Sequence, residues 1–496
     1  MILKNDVVKM VLEKVLVLGA TGYVGRRLVS SLLKEGYTVR ASWRKLSKLE
    51  RHSWAHHPKV EPVAVDIFDR ESVRKACEGC FAAYYLIHSM YHGKDFAKLD
   101  KKAAENMVWA TEHTELKRIV YLSGLGEEQA GLSKHLRSRF EVGKILRSGS
   151  VPVTILRAAM IIGAGSVSFE ILRYMTERLP VTIIPGWLRT KSQPIAISNV
   201  LKYLVGCLEN PATSDRTLDI GGPEIITYYD LGKLYAQEAK LVKRFVVHVP
   251  FVTPRLSSYW INLITPISAS IALPLIMGLK YDLICLNDDI TNIIPQRLLT
   301  NKEAIQLALS QIEYTLIRTV TSRKYPEFIP EWTQLGDPLW AGGSTYRDHR
   351  SIVIESPLED VWNTIIEMLG LGGYCDNLPS QFRGVIDKLI GELGIRTGKK
   401  DSSNLKLIDF VNCWNVISIK HQKHLKLYAE LRIPGRAALE FLLRKIDNQT
   451  TEVHQHTMFV PRGLFGLLYW YGFLPIHGIT LRNRLKKEVD TLKNSK

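Results

Sequence analysis

At 496 residues the chain exceeds one ordinary hydrophobic core, so two domains are expected. Apolar residues at 46% and charged residues at 23% exclude a disordered or collagen-like chain. A formal charge of +17 favours an anionic partner (nucleotide, nucleic acid or acidic membrane), and six scattered cysteines argue against a disulfide framework.

The N-terminus alternates charged and apolar residues without an apolar run leading to a cleavage site, so no secretion signal is expected and the chain reads as cytoplasmic. From Lys14, "KVLVLGATGYVGRRLVSSLLKEGYTVRASWR" runs as strand, glycine turn, amphipathic helix and strand. Gly19, Gly22 and Gly25 are spaced Gly-x-x-Gly-x-x-Gly. The first permits a tight turn, the second lets backbone approach a pyrophosphate, and the third allows close helix–strand packing. A helix N-terminus then faces the phosphates. Gly19, Ala20, Thr21, Gly22, Tyr23, Val24 and Gly25 are therefore the candidate dinucleotide cradle, with an ordinary turn as the alternative. The second strand ends in "VRASWRKLSK", where a site selecting NAD usually carries an acid. Arg44 and Lys45 stand there instead and suit the 2′-phosphate of NADP, so NADP is the expected cofactor and NAD the alternative.

The alternation continues with a strand near Val60–Val65, a helix near Glu71–Cys77, a strand at Ala82–Ile87 and a helix from about Phe96 to Thr111. The strand "RIVYLSG", the helix "LSKHLRSRFEVGK" and the strand "VPVTILR" follow. Repeated βα units predict a Rossmann-type, doubly wound parallel sheet in an α/β fold. Cys77 and Cys80 fall at a helix end and a strand start and read as packing residues rather than a redox pair. Leu256 to Leu279 carries no charge and is long enough to cross a bilayer, but Asn262, Pro266 and Pro274 favour a buried or membrane-facing helical pair.

The stretch Tyr325 to Gly343 is rich in Pro, Trp and Gly, and the periodicity changes beyond it, which places a boundary between 335 and 336. Residues 336–496 read as α+β: a strand "YRDHRSIVIES", a helix "PLEDVWNTIIEML", then strands "KLIDF", "CWNVISIK", "LKLYAELRI", "LEFLLRKI" and "EVHQHTMFV" before a helical C-terminus. His454 and His456 share one strand face, as metal ligands would, but no acid or cysteine completes a set, and no metal site is expected. His421 and His424 point to opposite faces. The apolar "LFGLLYWYGFLPIHGI" followed by the basic "LRNRLKKEVDTLKNSK" has the order of an interfacial anchor, for peripheral contact at the inner face of the membrane; a core helix with a solvated end is the alternative. No nucleic-acid-binding signature and no Gly-x-Ser-x-Gly elbow is present, so neither nucleic-acid binding nor hydrolase chemistry is expected.

"GATGYVG", "VDIFD", "YLIHSM", "YLSGLG" and "ILRAAMIIGAGSVSFE" resemble an atypical, NmrA-like short-chain dehydrogenase/reductase, with a substrate-side segment over about 160–335. The whole chain resembles the YbjT-like bacterial proteins, which join such a domain to a START-like (SRPBCC) helix-grip domain. For the latter, "GDPLWAGGSTYRDHRSIVI", "AELRIPGRAALEF" and "FVPRGLFGLLYWYGFLPIH" carry the match. The resemblance implies Asp66 near the adenine, His88 and Ser89 along the ribose side, and an apolar cavity in the second domain. Gly372 to Gly398 departs from the START-like pattern, and no ligand contact is assigned there. The family usually places a Ser or Thr at the end of the fifth strand and Tyr-x-x-x-Lys on the next helix. Ser123 keeps its place, but His135 and Arg139 stand where the pair would align. An i,i+4 pair shares a helix face, so His135 and Arg139 with Ser123 are the candidate catalytic residues. An arginine beside His135 should depress its pKa and make it a poor acid. Two functions follow: an NADP-linked oxidoreductase acting on a bulky apolar carbonyl or quinone-like compound, or a non-catalytic dinucleotide-binding module in regulation, assembly or at a membrane.

Overall fold

The computed structural model describes residues 13–44, 52–90, 95–126, 133–179, 181–184, 186–241, 245–248, 264–317, 328–370, 410–411, 414–429 and 433–472. They fall into two compact units, drawn from 1–311 with 326–343 and from 312–325 with 344–496. Residues 336–343, placed by sequence in the second domain, thus group with the first unit.

The first unit begins with β1 (Lys14–Leu18), α1 (Tyr23–Lys34), β2 (Thr38–Trp43), β3 (Val60–Ala64), α2 (Arg70–Cys77) and β4 (Ala82–Tyr85). It continues with α3 (Phe96–Glu112), β5 (Arg118–Gly124), α4 (Lys134–Arg147), β6 (Val153–Ala158), α5 (Val167–Arg178), α6 (Ile197–Glu209) and β7 (Thr217–Ile220). These strands form one parallel sheet in the order β7-β6-β5-β4-β1-β2-β3. Both faces are buried, which is why the strands read as apolar runs rather than alternating ones. Val15, Val17 and Tyr84 pack with Leu28, Val29 and Leu204 on one side. Leu16, Leu18 and Tyr85 pack with Val73, Met107 and Val142 on the other. From β1 the chain runs to β2 and β3 on one side and then crosses back to β4 on the other side of β1, and a crevice opens at that switch point, where doubly wound sheets bind ligands.

Further along are α7 (Tyr228–Glu238), α8 (Ala269–Gly278) and α9 (Asn301–Ile317). Residues 256–263 lie outside the described residues. The rest of that uncharged stretch is mainly the ten-residue α8, whose Ile271, Ala272 and Ile276 are buried with Met90 and Ile171. Among the described residues no helix is long and apolar enough to cross a membrane. Cys77 and Cys80 are free and buried, and burial pushes the Cys77 thiol up to about 12, so neither is a ready nucleophile.

The second unit contains β8 (Tyr346–Ile354), α10 (Leu358–Gly370), β9 (Phe410–Val411), β10 (Trp414–Lys420), β11 (His424–Ala429), β12 (Gly435–Lys445) and β13 (Thr451–Pro461). Its sheet is antiparallel, ordered β8-β13-β12-β11-β10-β9. Val361, Trp362 and Ile365 of α10 cover one face, against Leu427, Leu439, Phe441 and Val453. Residues 372–398 and those from 473 onward lie outside the described residues.

His454 and His456 do share a face, and His349 on β8 joins them, its ring stacked 4.3 Å from His456 and its Nε2 3.3 Å from His454 Nδ1. Among the described residues no group of three or more His, Cys, Asp or Glu is placed to hold a metal ion. His424 is buried and bonded to Glu440 at 2.9 Å.

Candidate functional site

The glycine turn closes the C-terminal end of β1. Gly19 has φ +87°, and a Cβ there would lie 2.9 Å from the Leu86 carbonyl oxygen beyond β4, so only glycine fits this left-handed turn. At Gly25 a Cβ would sit 2.1 Å from the Gly19 carbonyl oxygen. Gly22 differs. Its φ is −73°, a Cβ would meet only the Gly19 oxygen at 3.2 Å, and the residue faces the cleft. Its bare backbone at the N-cap of α1 opens that helix terminus to an anion, and these residues fit a dinucleotide.

Two supports of the turn escape local sequence patterns. The Gly19 N–H donates to Ser42 Oγ on β2 at 3.1 Å. Arg26 donates to the carbonyls of Thr21 at 2.8 Å and Gly22 at 3.1 Å, and its Nη1 lies 3.0 Å from Asp337. The same carboxylate holds Arg27 at 2.9 Å, and Arg27 also donates to the carbonyls of Ala164, Pro330 and Trp332. Residues 330–337 are thereby clamped onto the back of the cradle.

The cleft encloses about 310 Å³ and runs from Gly19, Gly22 and Gly25 past Ser123, His88, His135 and Arg139 to an apolar wall of Met160, Ile171, Leu275, Ile276, Leu279 and Leu283. Tyr23 and Val24 also line it, whereas Ala20 is wholly buried and Thr21 contributes its carbonyl to Arg26. Much of the apolar wall comes from α8 and the residues just after it.

The α4 residues are placed by burial. Ser133 caps the helix, and Ser138 and Arg139 turn inward. Arg139 donates to the Ile87 carbonyl at 3.2 Å. Burial disfavours its charge, but Tyr121, Asp100 and Tyr85 outweigh that and hold its pKa above the ordinary value. Asp100 on α3 was missed by sequence reasoning. Its carboxylate accepts from the Ser89 N–H at 2.7 Å and from Ser138 Oγ at 2.9 Å. An acid on the buried face of α3, four residues after Phe96 and three before Ala103, was the available signal. Burial and then Arg139 push His88 down to about 3. His135 is also pushed down to about 3, by burial first, then Arg139 and His88. The arginine matters as the sequence suggested, but desolvation is the larger cause.

Ser89 is fully buried, is bonded through its N–H to Asp100, and does not line the cleft. Asp66 is exposed, does not line the cleft, and accepts from the Phe68 N–H at 3.0 Å. Arg44 is exposed at the end of β2, and Lys45 lies outside the described residues. Two phenols, Tyr23 of the cradle and Tyr228, which was not singled out from the sequence, also line the cleft. Burial raises both, Tyr228 to about 12, opposite to the activation a neighbouring lysine gives.

Residues 19–177 match a family model described as NAD(P)H-binding. The first unit carries an NAD(P)-binding domain. Residues 340–483 match a family described as a protein of unknown function (DUF2867). The chain is 26% identical over 241 residues to the mitochondrial NADH dehydrogenase [ubiquinone] 1 alpha subcomplex subunit 9 of Arabidopsis thaliana, covering 47% of this chain and 60% of that one. It is 25% identical over 241 residues to the photosystem II assembly factor Ycf39 of Trieres chinensis, covering 46% and 71%. The chain thus spans about 60% of the length of the first of these relatives. A structure of the Citrobacter sp. triphenylmethane reductase with NADP(H) superposes at a TM-score of 0.49 and 19% identity, covering 60% of this chain and 100% of that one.

Proposed function

We propose that the chain is an NADP-linked oxidoreductase that passes hydride to a bulky apolar carbonyl or quinone-like compound. The observation that carries this reading is the continuity of the cleft from the glycine turn, past Arg139, to the wall of Leu275, Ile276, Leu279 and Leu283. A bound NADPH supplies the hydride. The chain's residues do the rest: α8 excludes water from the acceptor, and the buried Arg139 cation stabilises negative charge developing on its oxygen. Neither imidazole of the cleft is protonated near neutrality, so the reduced acceptor leaves as its anion and takes up the completing proton from solvent outside the cleft. Acceptors whose reduced anion is delocalised, such as quinones, tolerate that arrangement best. Arg44 and Lys45 are assigned to the 2′-phosphate, Asp66 to the adenine end, and Ser123 and His135 to the nicotinamide end. The START-like character of the second unit, with a division near 335/336, and a cytoplasmic location belong to the same proposal.

A second reading is favoured by one observation. His135 and Arg139 replace the phenol and lysine that move a proton in this class of site, and burial leaves His135 a very weak base. In that reading the dinucleotide is a structural or regulatory ligand of an assembly module, in keeping with relatives named as a respiratory-complex subunit and an assembly factor.

Mass spectrometry of small molecules released from the purified chain, together with NADPH oxidation in the presence of a soluble quinone, tests both. Released NADP(H) and sustained quinone-dependent oxidation support the enzyme. Bound dinucleotide without turnover across carbonyl and quinone acceptors supports the module. Calorimetry should show tighter binding of NADP(H) than NAD(H), and Arg44→Ala should reduce that preference by roughly tenfold, the value of one charge-assisted contact. Equal wild-type affinities would sink the NADP assignment.

A further inference from the structure

In the second unit, residues 463–472 form a helix directly after β13, and it carries no charged side chain. Its inward face is fixed by two residues four apart. A Cβ at Gly466 would lie 2.3 Å from the Pro434 carbonyl oxygen, so the helix sits hard against that loop. Trp470 is buried, its ring stacked on Phe459 at 5.5 Å and 5.6 Å from Tyr346. The opposite face is apolar too. Phe465, Leu468 and Tyr471, at i, i+3 and i+6, are 59%, 61% and 61% exposed.

A helix on the surface of a water-soluble unit ordinarily turns polar residues outward. Here the outward stripe is aromatic and aliphatic, the composition of a face that enters the headgroup–acyl boundary of a bilayer. The charge beside it has the matching sign. Arg462 opens the helix, its N–H bound to the Pro434 carbonyl at 2.8 Å, and it lies near a second guanidinium, Arg436 on β12. Burial and then Arg436 lower the pKa of Arg462. The chain as a whole carries a net charge of +17.

We propose that this helix docks the second unit on an anionic lipid surface, with Phe465, Leu468 and Tyr471 entering the interface and Arg462 and Arg436 meeting lipid phosphates. A second copy of the chain is the weaker occupant. Two-fold pairing through this stripe brings the same arginines toward their own copies and joins two bodies that each carry a large positive charge. The inference is independent of the cofactor reading, because it concerns only the second unit.

Co-sedimentation of the full chain with vesicles tests it. The chain should pellet with phosphatidylcholine vesicles that contain phosphatidylglycerol, should pellet poorly with phosphatidylcholine alone, and should be released as salt rises. Phe465→Ser/Leu468→Ser/Tyr471→Ser should lower the vesicle partition coefficient by roughly tenfold or more, with unchanged melting and dinucleotide binding. If the triple variant folds poorly, Leu468→Ser alone should give a smaller drop in the same direction. Three outcomes overturn the proposal: no pelleting with either vesicle, pelleting of the folded variants equal to wild type, or a wild-type dimer in sedimentation analysis that the Ser variants dissolve.

Discussion

The two ends of the cleft are built on different physics. At the glycine end the ligand-facing groups are backbone, and what matters is where side chains are missing: a Cβ at Gly19 or Gly25 would strike a carbonyl oxygen at 2.9 or 2.1 Å. At the α4 end the groups are side chains, and desolvation with the nearby Arg139 charge decides their chemistry. Burial shifts His88 and His135 far below their ordinary range while Arg139 keeps its charge. A backbone cradle tolerates change around it and fails when a carbon is added. A side-chain cluster keeps its shape and changes its reactivity with the dielectric and the charges around it.

The largest loss is expected at Gly25. Gly25→Ala puts a methyl into backbone, so it should destabilise the first unit by about 1–3 kcal/mol or more and remove dinucleotide binding as well. Thermal melting and cofactor titration on the one variant would show both losses together. A variant with wild-type melting would mean that α1 does not pack on the turn as described.

Gly22→Val should separate the two effects. The new Cβ meets only the Gly19 oxygen at 3.2 Å, and the side chain occupies the approach to the pyrophosphate. Affinity should fall by roughly a hundredfold, about 2.7 kcal/mol, while melting moves by only a few degrees. Retained binding would place the cradle elsewhere.

At the other end, Arg139→Ala removes a buried cation and leaves the Asp100 carboxylate held by Ser138 and the Ser89 N–H. Dinucleotide affinity should drop roughly tenfold to a hundredfold, the worth of a charge-assisted contact. Calorimetry checks it, and an unchanged dissociation constant would confine Arg139 to a structural role.

His135→Ala should do least. Turnover, where found, should change by less than about tenfold, because loss of a general acid costs roughly 10²–10⁴-fold and a group with a pKa near 3 is not one at neutral pH. Both imidazoles are held below their ordinary 6.5, so the unfolded chain binds more protons between about pH 6.5 and pH 3, and stability is lost as pH falls through that window. His135→Ala should flatten the acid side of the melting-temperature profile by about one proton's share. A steeper acid limb in the variant would reverse the assignment.

The sequence by itself determined the parallel sheet and the cradle. Strand, glycine turn and helix are local patterns, and steric rules for glycine act within a few residues of one another. It also placed His135 and Arg139 on one face of α4, because residues four apart are neighbours on any helix. Only the tertiary structure decided that Asp100 braces Ser89 and Ser138, that Asp337 clamps Arg26 and Arg27 from across the unit, and that the uncharged residues of α8 roof a cleft. Likewise it set the protonation of His135 and the burial of Ser89. Those outcomes depend on desolvation and on ion pairs between residues hundreds of positions apart. Chain order carries no record of either until the sheet has closed around them.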